Sequence, residues 1–223
     1  MIFPDGVIRR ALKNVYFIWG SGKTTAANAL AERHGFYVYH TDESRSRHFQ
    51  NADPNDQPAM CRDVPDFWAL EPEDALAWEG AVVKEMTPMI VAELIGLAAQ
   101  HKGVICEGDI DIDQIAPVAA NAVTISNHGA EYDFFSRPEQ AHMLEEIKSR
   151  TDIDESEKQR RIENAYRILR CAETDRFAIP RETRLYGVKQ IIRDSSSSVE
   201  TVVNMIEQHW GLRSENEMPC SRI

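Results

Sequence analysis

Residues 14–25, Asn-Val-Tyr-Phe-Ile-Trp-Gly-Ser-Gly-Lys-Thr-Thr, constrain the fold more than any other stretch of the chain. An apolar run from Val15 to Ile18 reads as a buried strand. It meets Gly20-Ser21-Gly22-Lys23-Thr24-Thr25, and a helical pattern follows from about Thr24 to Arg33 through Ala26, Ala27, Ala29, Leu30 and Ala31. Strand, small-residue turn and helix in this order suit an anion. Small residues let backbone N–H groups turn inward, and the helix aims its positive end at the same point. In the phosphate-loop pattern G-x-x-x-x-G-K-[ST] the lysine is a mobile charge for terminal phosphates and the hydroxyl is a magnesium ligand. The expected phosphate-binding residues are therefore Gly20, Ser21, Gly22, Lys23, Thr24 and Thr25, with Lys23 also catalytic and Thr24 also a metal ligand. Five positions before Gly22, where the pattern has glycine, stands Phe17. Either the strand ends near Tyr16 and the loop takes in Phe17, Ile18 and Trp19, or the loop is short and wraps less of a phosphate.

Lys plus Arg number 25 and Asp plus Glu 36 in 223 residues, a formal charge of -11. That length suffices for one α/β domain with a substantial core. So acidic a surface repels polynucleotides, which excludes nucleic acid as an expected partner and leaves phosphate binding to a local cluster. Cys61, Cys106, Cys171 and Cys220 have no metal-type spacing and suit reduced thiols of a cytoplasmic protein. Neither a signal-peptide core in Met1 to Leu12 nor an apolar run long enough for a bilayer is present, so no membrane partner is expected.

Further along, Gly35 reads as a helix stop, and Phe36 to His40 as a second strand. The polar stretch Asp42 to Asp66, broken by three prolines, predicts only short helical turns. Pro72 to Gln100 has helical periodicity, with Pro88 as a kink or break. Gly103 to Cys106 reads as a strand ending at Glu107-Gly108, Asp113 to Ala120 as a short helix, and Ala122 to Ser126 as a strand. Helical patterns cover Pro138 to Arg150 and Glu155 to about Phe177. In the second, Ile162, Ala165, Tyr166 and Leu169 share an apolar face, while Arg160, Asn164 and Arg167 share another. Val188 to Ile192 is the last strand, Asp194 to Ser198 a turn and cap, Val199 to His209 the last helix, and 213–223 a loose tail. Alternating strands and helices predict a single α/β unit over residues 1–223, with a parallel sheet covered on both faces.

With Gly20-Ser21-Gly22-Lys23-Thr24-Thr25, Tyr39-His40-Thr41-Asp42 and Cys106-Glu107-Gly108 in place, the chain resembles the P-loop kinases. It looks most like the branch of adenylate, shikimate and gluconate kinases and the related bacterial ATP-binding proteins. The resemblance in element order covers roughly residues 13 to 212. It implies a three-layer P-loop NTPase fold with a five-stranded parallel sheet, and a helical lid at about 130–180. It also implies ATP and Mg²⁺ as cofactors and a small-molecule acceptor. Two departures stand out: Phe17 in place of the first glycine, and few arginines beside the loop.

Asp42 follows strand two, where ligands gather in open α/β sheets. There it would orient or deprotonate an acceptor hydroxyl, or hold Mg²⁺ through water; a turn aspartate is the plainer alternative. Glu107, also at a strand end, resembles the acid that P-loop enzymes use for magnesium or for a water. Asp109, Asp111 and Asp113 crowd nearby, as they would in any acidic loop. Arg137 and Arg167, with Arg160 and Arg170, are lid arginines for a phosphoryl group or else members of solvated helix faces. His40 and Trp19 are more readily structural than ligand-binding. The leading expectation is a kinase that transfers the γ-phosphoryl group to an unidentified hydroxyl acceptor. The alternatives are a nucleotide-binding sensor or partner protein without transfer, and a nucleoside-triphosphate hydrolase.

Overall fold

The burial pattern of the first strand, β1 (Val15–Gly20), divides the molecule. Val15, Phe17 and Trp19 enter one core, and Ile18 enters the other. Side chains alternate across a strand, so a strand buried on both sides reads as a continuous apolar run. The protein is described here by a computed structural model over residues 5–64, 66–127, 138–168, 188–194 and 196–212. Around β1 lie β2 (Tyr37–His40), β3 (Val104–Glu107), β4 (Asn121–Asn127) and β5 (Lys189–Arg193), in the order β2-β3-β1-β4-β5. Every pairing is parallel. The carboxyl ends of all five strands therefore share one edge of the sheet.

The helices are α1 (Asp5–Ala11), α2 (Lys23–His34), α3 (Thr41–Gln50), α4 (Pro72–Ala98), α5 (Ile112–Ile115), α6 (Pro138–Ser149), α7 (155–168) and α8 (Val199–Trp210). On one face, Val82, Met86, Ile90 and Leu94 of α4 pack on Val15, Phe17, Val104 and Cys106. On the other, Ala26, Ala27 and Leu30 of α2 and Val202, Val203 and Ile206 of α8 pack on Ile18, Ile105, Val123, Ile125 and Ile191. The result is helix, sheet, helix. No described helix is long and apolar enough to cross a membrane.

Three expectations change, and of the two readings of Pro88 the break is excluded. β1 runs to Gly20, two residues beyond the expected end, because Trp19 and Gly20 continue the ladder opposite Thr124 and Ile125. Phe17 is wholly buried in that strand and stacks on Trp19, with ring centroids 5.8 Å apart. It belongs to the core, where truncation to alanine typically costs about 3–5 kcal/mol. The stretch after β2 is a regular helix, α3, instead of short turns. Its buried positions are Thr41, Ser44 and His48, which follow helical spacing without being apolar. α4 runs through Pro88 without ending. A proline cannot donate to the carbonyl four residues back, and the Lys84 carbonyl instead accepts from Gln114 Nε2 at 2.8 Å. α5 is four residues long, shorter than expected.

Two caps fall where the sequence puts them. Gly35, with φ +67°, closes α2 by donating its N–H to Ala31 O. Ser198 Oγ accepts from Thr201 N at the start of α8. The expected continuation of α7 to Phe177, residues 130–137 and 169–180 of the expected lid, and the tail from 213 lie outside the described residues. The described part of α7 docks on the segment after α3. The buried Asn164 donates to Leu70 O at 2.6 Å, and Arg161 and Arg150 both pair with Asp66.

Candidate functional site

Glu107 is the centre of the polar cluster at the carboxyl edge. It is 4% exposed and paired in register with Ile18 and His40 on its two flanks. Ile18 and Ile105 face α2, and two-residue alternation puts Glu107 on that same face. Lateral neighbours on one face of a sheet meet, and His40 Nδ1 lies 2.6 Å from Glu107 Oε1. From above, the first turn of α2 supplies Thr24, whose hydroxyl is 3.2 Å from each carboxylate oxygen, and Lys23, whose Nζ is 3.9 Å from Oε2. Two segments distant in sequence from β3 thus converge on its buried acid, and a buried charge persists only when it is paired in this way.

The turn that delivers Lys23 is tight. Gly20 leaves the strand at φ +91°, and a Cβ there would stand 2.1 Å from Ile125 O. No side chain fits, because β4 lies against it. Gly22 has φ +77° and is the N-cap of α2. Only Ser21 separates the two glycines, whereas the phosphate-loop pattern has four residues between them, so this turn is three residues shorter. The departure is one of spacing: Gly20 occupies the point where the chain leaves the strand, and Phe17 is never part of the turn. The short turn also uses up a donor, since Ser21 N–H bonds to Ile125 O at 2.9 Å. The first-turn N–H groups of α2 have no partners within the helix. The N-cap, Gly22, has no side chain to cap them, and no acid stands in that turn.

A pocket opens beside this helix start, lined by Ser21, Gly22, Thr25, Ala26, Ile125, Arg193, Val199 and Val202. Arg193, the last residue of β5, reaches over the turn, with Nη1 3.0 Å from where a Cβ on Gly22 would be. Its guanidinium makes no hydrogen bond or ion pair among the described residues. Sequence reasoning missed it. The available signal was a basic residue at the carboxyl end of a parallel strand, the same position that drew notice to Asp42 and Glu107.

Asp42, the second residue of α3, sits beside this cluster. Its carboxyl is held above the ordinary aspartate range, first by desolvation and then by the charge of Asp109, with Glu107 adding to the effect and Lys23 opposing it. Asp111 has a local role, since it caps α5 by accepting from Asp113 N. Trp19 is 7% exposed and donates its indole N–H to Ile110 O at 3.1 Å, as a packing residue does. Among the candidate lid arginines, Arg167 pairs with Glu71 and Asn164, away from Glu107. Arg160 pairs with Glu157 on its own helix. Arg137 and Arg170 lie outside the described residues.

Among the described residues, no three His, Cys, Asp or Glu side chains are grouped so as to hold a metal by themselves. The adjacent oxygens of Thr24 and Glu107 suit magnesium, which usually takes one or two protein oxygens and completes its shell with phosphates and waters. No protein-family model matches the chain, and no curated protein is significantly similar to it in sequence.

Proposed function

We propose that the protein is a small-molecule kinase that binds Mg-ATP at the start of α2 and transfers its γ-phosphoryl group to a hydroxyl acceptor held near Asp42. The observation that carries this reading is the convergence of Lys23, Thr24 and His40 on Glu107 at the carboxyl edge of a parallel sheet, with Asp42 alongside. Phosphoryl transfer needs mainly positioning and charge stabilisation. The uncapped N–H groups of α2, Lys23 and Arg193 would hold the polyphosphate. Thr24 and Glu107 would hold magnesium, which supplies charge neutralisation when bound. Asp42 would accept the hydroxyl proton, a role typically worth about 10²–10⁴-fold. Arg137 and Arg167 stand as the proposed lid arginines, and Arg167 would have to leave Glu71 and Asn164 to reach a phosphate.

Thermal unfolding with and without Mg-ATP tests binding. At 100 times the dissociation constant, a ligand stabilises by about 2.7 kcal/mol. ADP release over an acceptor panel tests transfer. No Mg-nucleotide shift in the wild type would refute the proposal. A second reading, nucleotide binding without transfer, is favoured by the short turn and its engaged Ser21 N–H. It predicts the thermal shift with no acceptor-dependent ADP. Phosphate release without any acceptor, more sensitive to Glu107→Gln than to Asp42→Asn, would instead mark a hydrolase.

A further inference from the structure

The charges at the acceptor side are unevenly matched. Lys23 and His40 face Glu107. Arg45 is clamped by both carboxylate oxygens of Glu79, at 2.6 and 2.7 Å, with the Phe49 ring 5.4 Å away. Such a bidentate pair satisfies the guanidinium fork, so Arg45 is not free to receive an anionic ligand. Asp42 and Asp109 are different. Asp42 feels the charge of Asp109 first, then the opposing charge of Lys23, then Glu107 and, opposing again, Arg45, and neither the Asp42 nor the Asp109 carboxylate makes a hydrogen bond or ion pair among the described residues. The charged groups here without a direct partner among the described residues are thus both acids, while the two cations that act on Asp42, Lys23 and Arg45, are directly paired with Glu107 and Glu79.

An independent feature points the same way. Thr41, between His40 and Asp42, is 1% exposed, and its hydroxyl has no hydrogen-bond partner among the described residues. That hydroxyl is aimed at the Glu107-Gly108-Asp109 turn: a Cβ on Gly108, which has φ +121°, would lie 2.0 Å from Thr41 Oγ1. Buried polar groups are normally partnered. Here an orphaned hydroxyl, between two segments that each carry an unpaired carboxylate, adds a third oxygen whose accepting capacity no described donor uses.

We infer that the acceptor is an amine-bearing hydroxyl compound, an amino alcohol or amino sugar, whose ammonium group is received by Asp42 and Asp109 beside Thr41. Hydroxy acids and phosphorylated alcohols are disfavoured, because they would bring a like charge against two unpaired carboxylates. This inference rests on the kinase reading of the same site.

The test uses the full chain with Mg-ATP and pairs of compounds matched except in charge: glucosamine with glucuronate, and ethanolamine with glycolate. Affinity is read by ligand-detected NMR and calorimetry, and transfer by ADP release. The expected result is at least tenfold tighter binding of the amine in one or both pairs. Asp109→Asn should cut that preference about tenfold, and Asp42→Asn, as a second variant, should do the same. The inference is overturned if hydroxy acids bind as well as their amine partners, if no pair is distinguished, or if both variants keep the preference. Mg-ATP thermal stabilisation, read on the same samples, reports separately on the nucleotide site. Failure of the acceptor inference is then visible without failure of the kinase reading.

Discussion

Lengthening the turn should reveal what its shortness costs. Insertion of three glycines between Gly20 and Ser21 restores the four-residue spacing of the phosphate-loop pattern. Closing a five-residue connection instead of a two-residue one costs about 0.8 kcal/mol. Losing the hydrogen bond from Ser21 N to Ile125 O costs about 1 kcal/mol more. The variant should therefore be less stable by about 2 kcal/mol, a fall in Tm of about 4–8 °C for a chain of this size. Nucleotide affinity should move the other way. Ordering each inserted glycine costs about 1–2 kcal/mol, and its N–H gains about 1.5–3 kcal/mol against a charged phosphate, so the insertion nearly cancels within itself. What remains is the released Ser21 N–H, again worth about 1.5–3 kcal/mol. That corresponds to roughly tenfold to a hundredfold tighter binding of Mg-ATP. Calorimetric titration of folded variant and wild type measures it. Equal or weaker binding by a folded insertion variant would refute the argument that the short turn limits the phosphate site.

Other substitutions separate binding from folding. Lys23→Ala should abolish Mg-nucleotide stabilisation while changing intrinsic stability by less than about 1 kcal/mol, because its partner is 3.9 Å away and its side chain is 22% exposed; calorimetry and thermal melts read the two. Arg193→Gln should weaken Mg-ATP about tenfold with little effect on Tm, since the guanidinium lies over Gly22 without a protein partner among the described residues; an unchanged affinity would remove it from the site. Gln114→Ala should cost about 1 kcal/mol in urea unfolding by leaving the Lys84 carbonyl unpartnered beside Pro88. His48 is 3% exposed, with Nε2 3.1 Å from Tyr39 Oη and 3.8 Å from Glu93, which also pairs with Arg47. Desolvation lowers its pKa below the ordinary 6.5, so the unfolded chain binds the proton first. Stability should fall as pH drops through 6.5 and level off below the depressed folded value; His48→Gln should lack that component in pH-dependent melts.

Much of the architecture was legible because it rests on periodicity. Continuous apolar runs marked the buried strands, and Gly35 and Ser198 fell where their caps required them. Asp42 and Glu107 could be singled out because each follows a strand pattern, and strand ends in a parallel sheet share an edge. α3 escaped notice because its inward face is Thr41, Ser44 and His48, which follow helical spacing with no apolar signal. Arg193 escaped because its place at a strand end was the only local mark, and the surface it covers is a turn some 170 positions earlier in the chain.

The sequence by itself determined the alternation of strands and helices, the glycine turn with its lysine, and the acidic balance, since these depend on side-chain type and near-neighbour spacing. Tertiary structure alone decided the meaning of Phe17. The length of β1 depends on its pairing with β4, and that ladder carries the strand to Gly20, moving Phe17 into the core and reducing the turn to one residue between glycines. It likewise decided that His40, Thr24 and Lys23 meet on Glu107, because lateral register between strands and the docking of a helix on a sheet are long-range choices that no local pattern encodes.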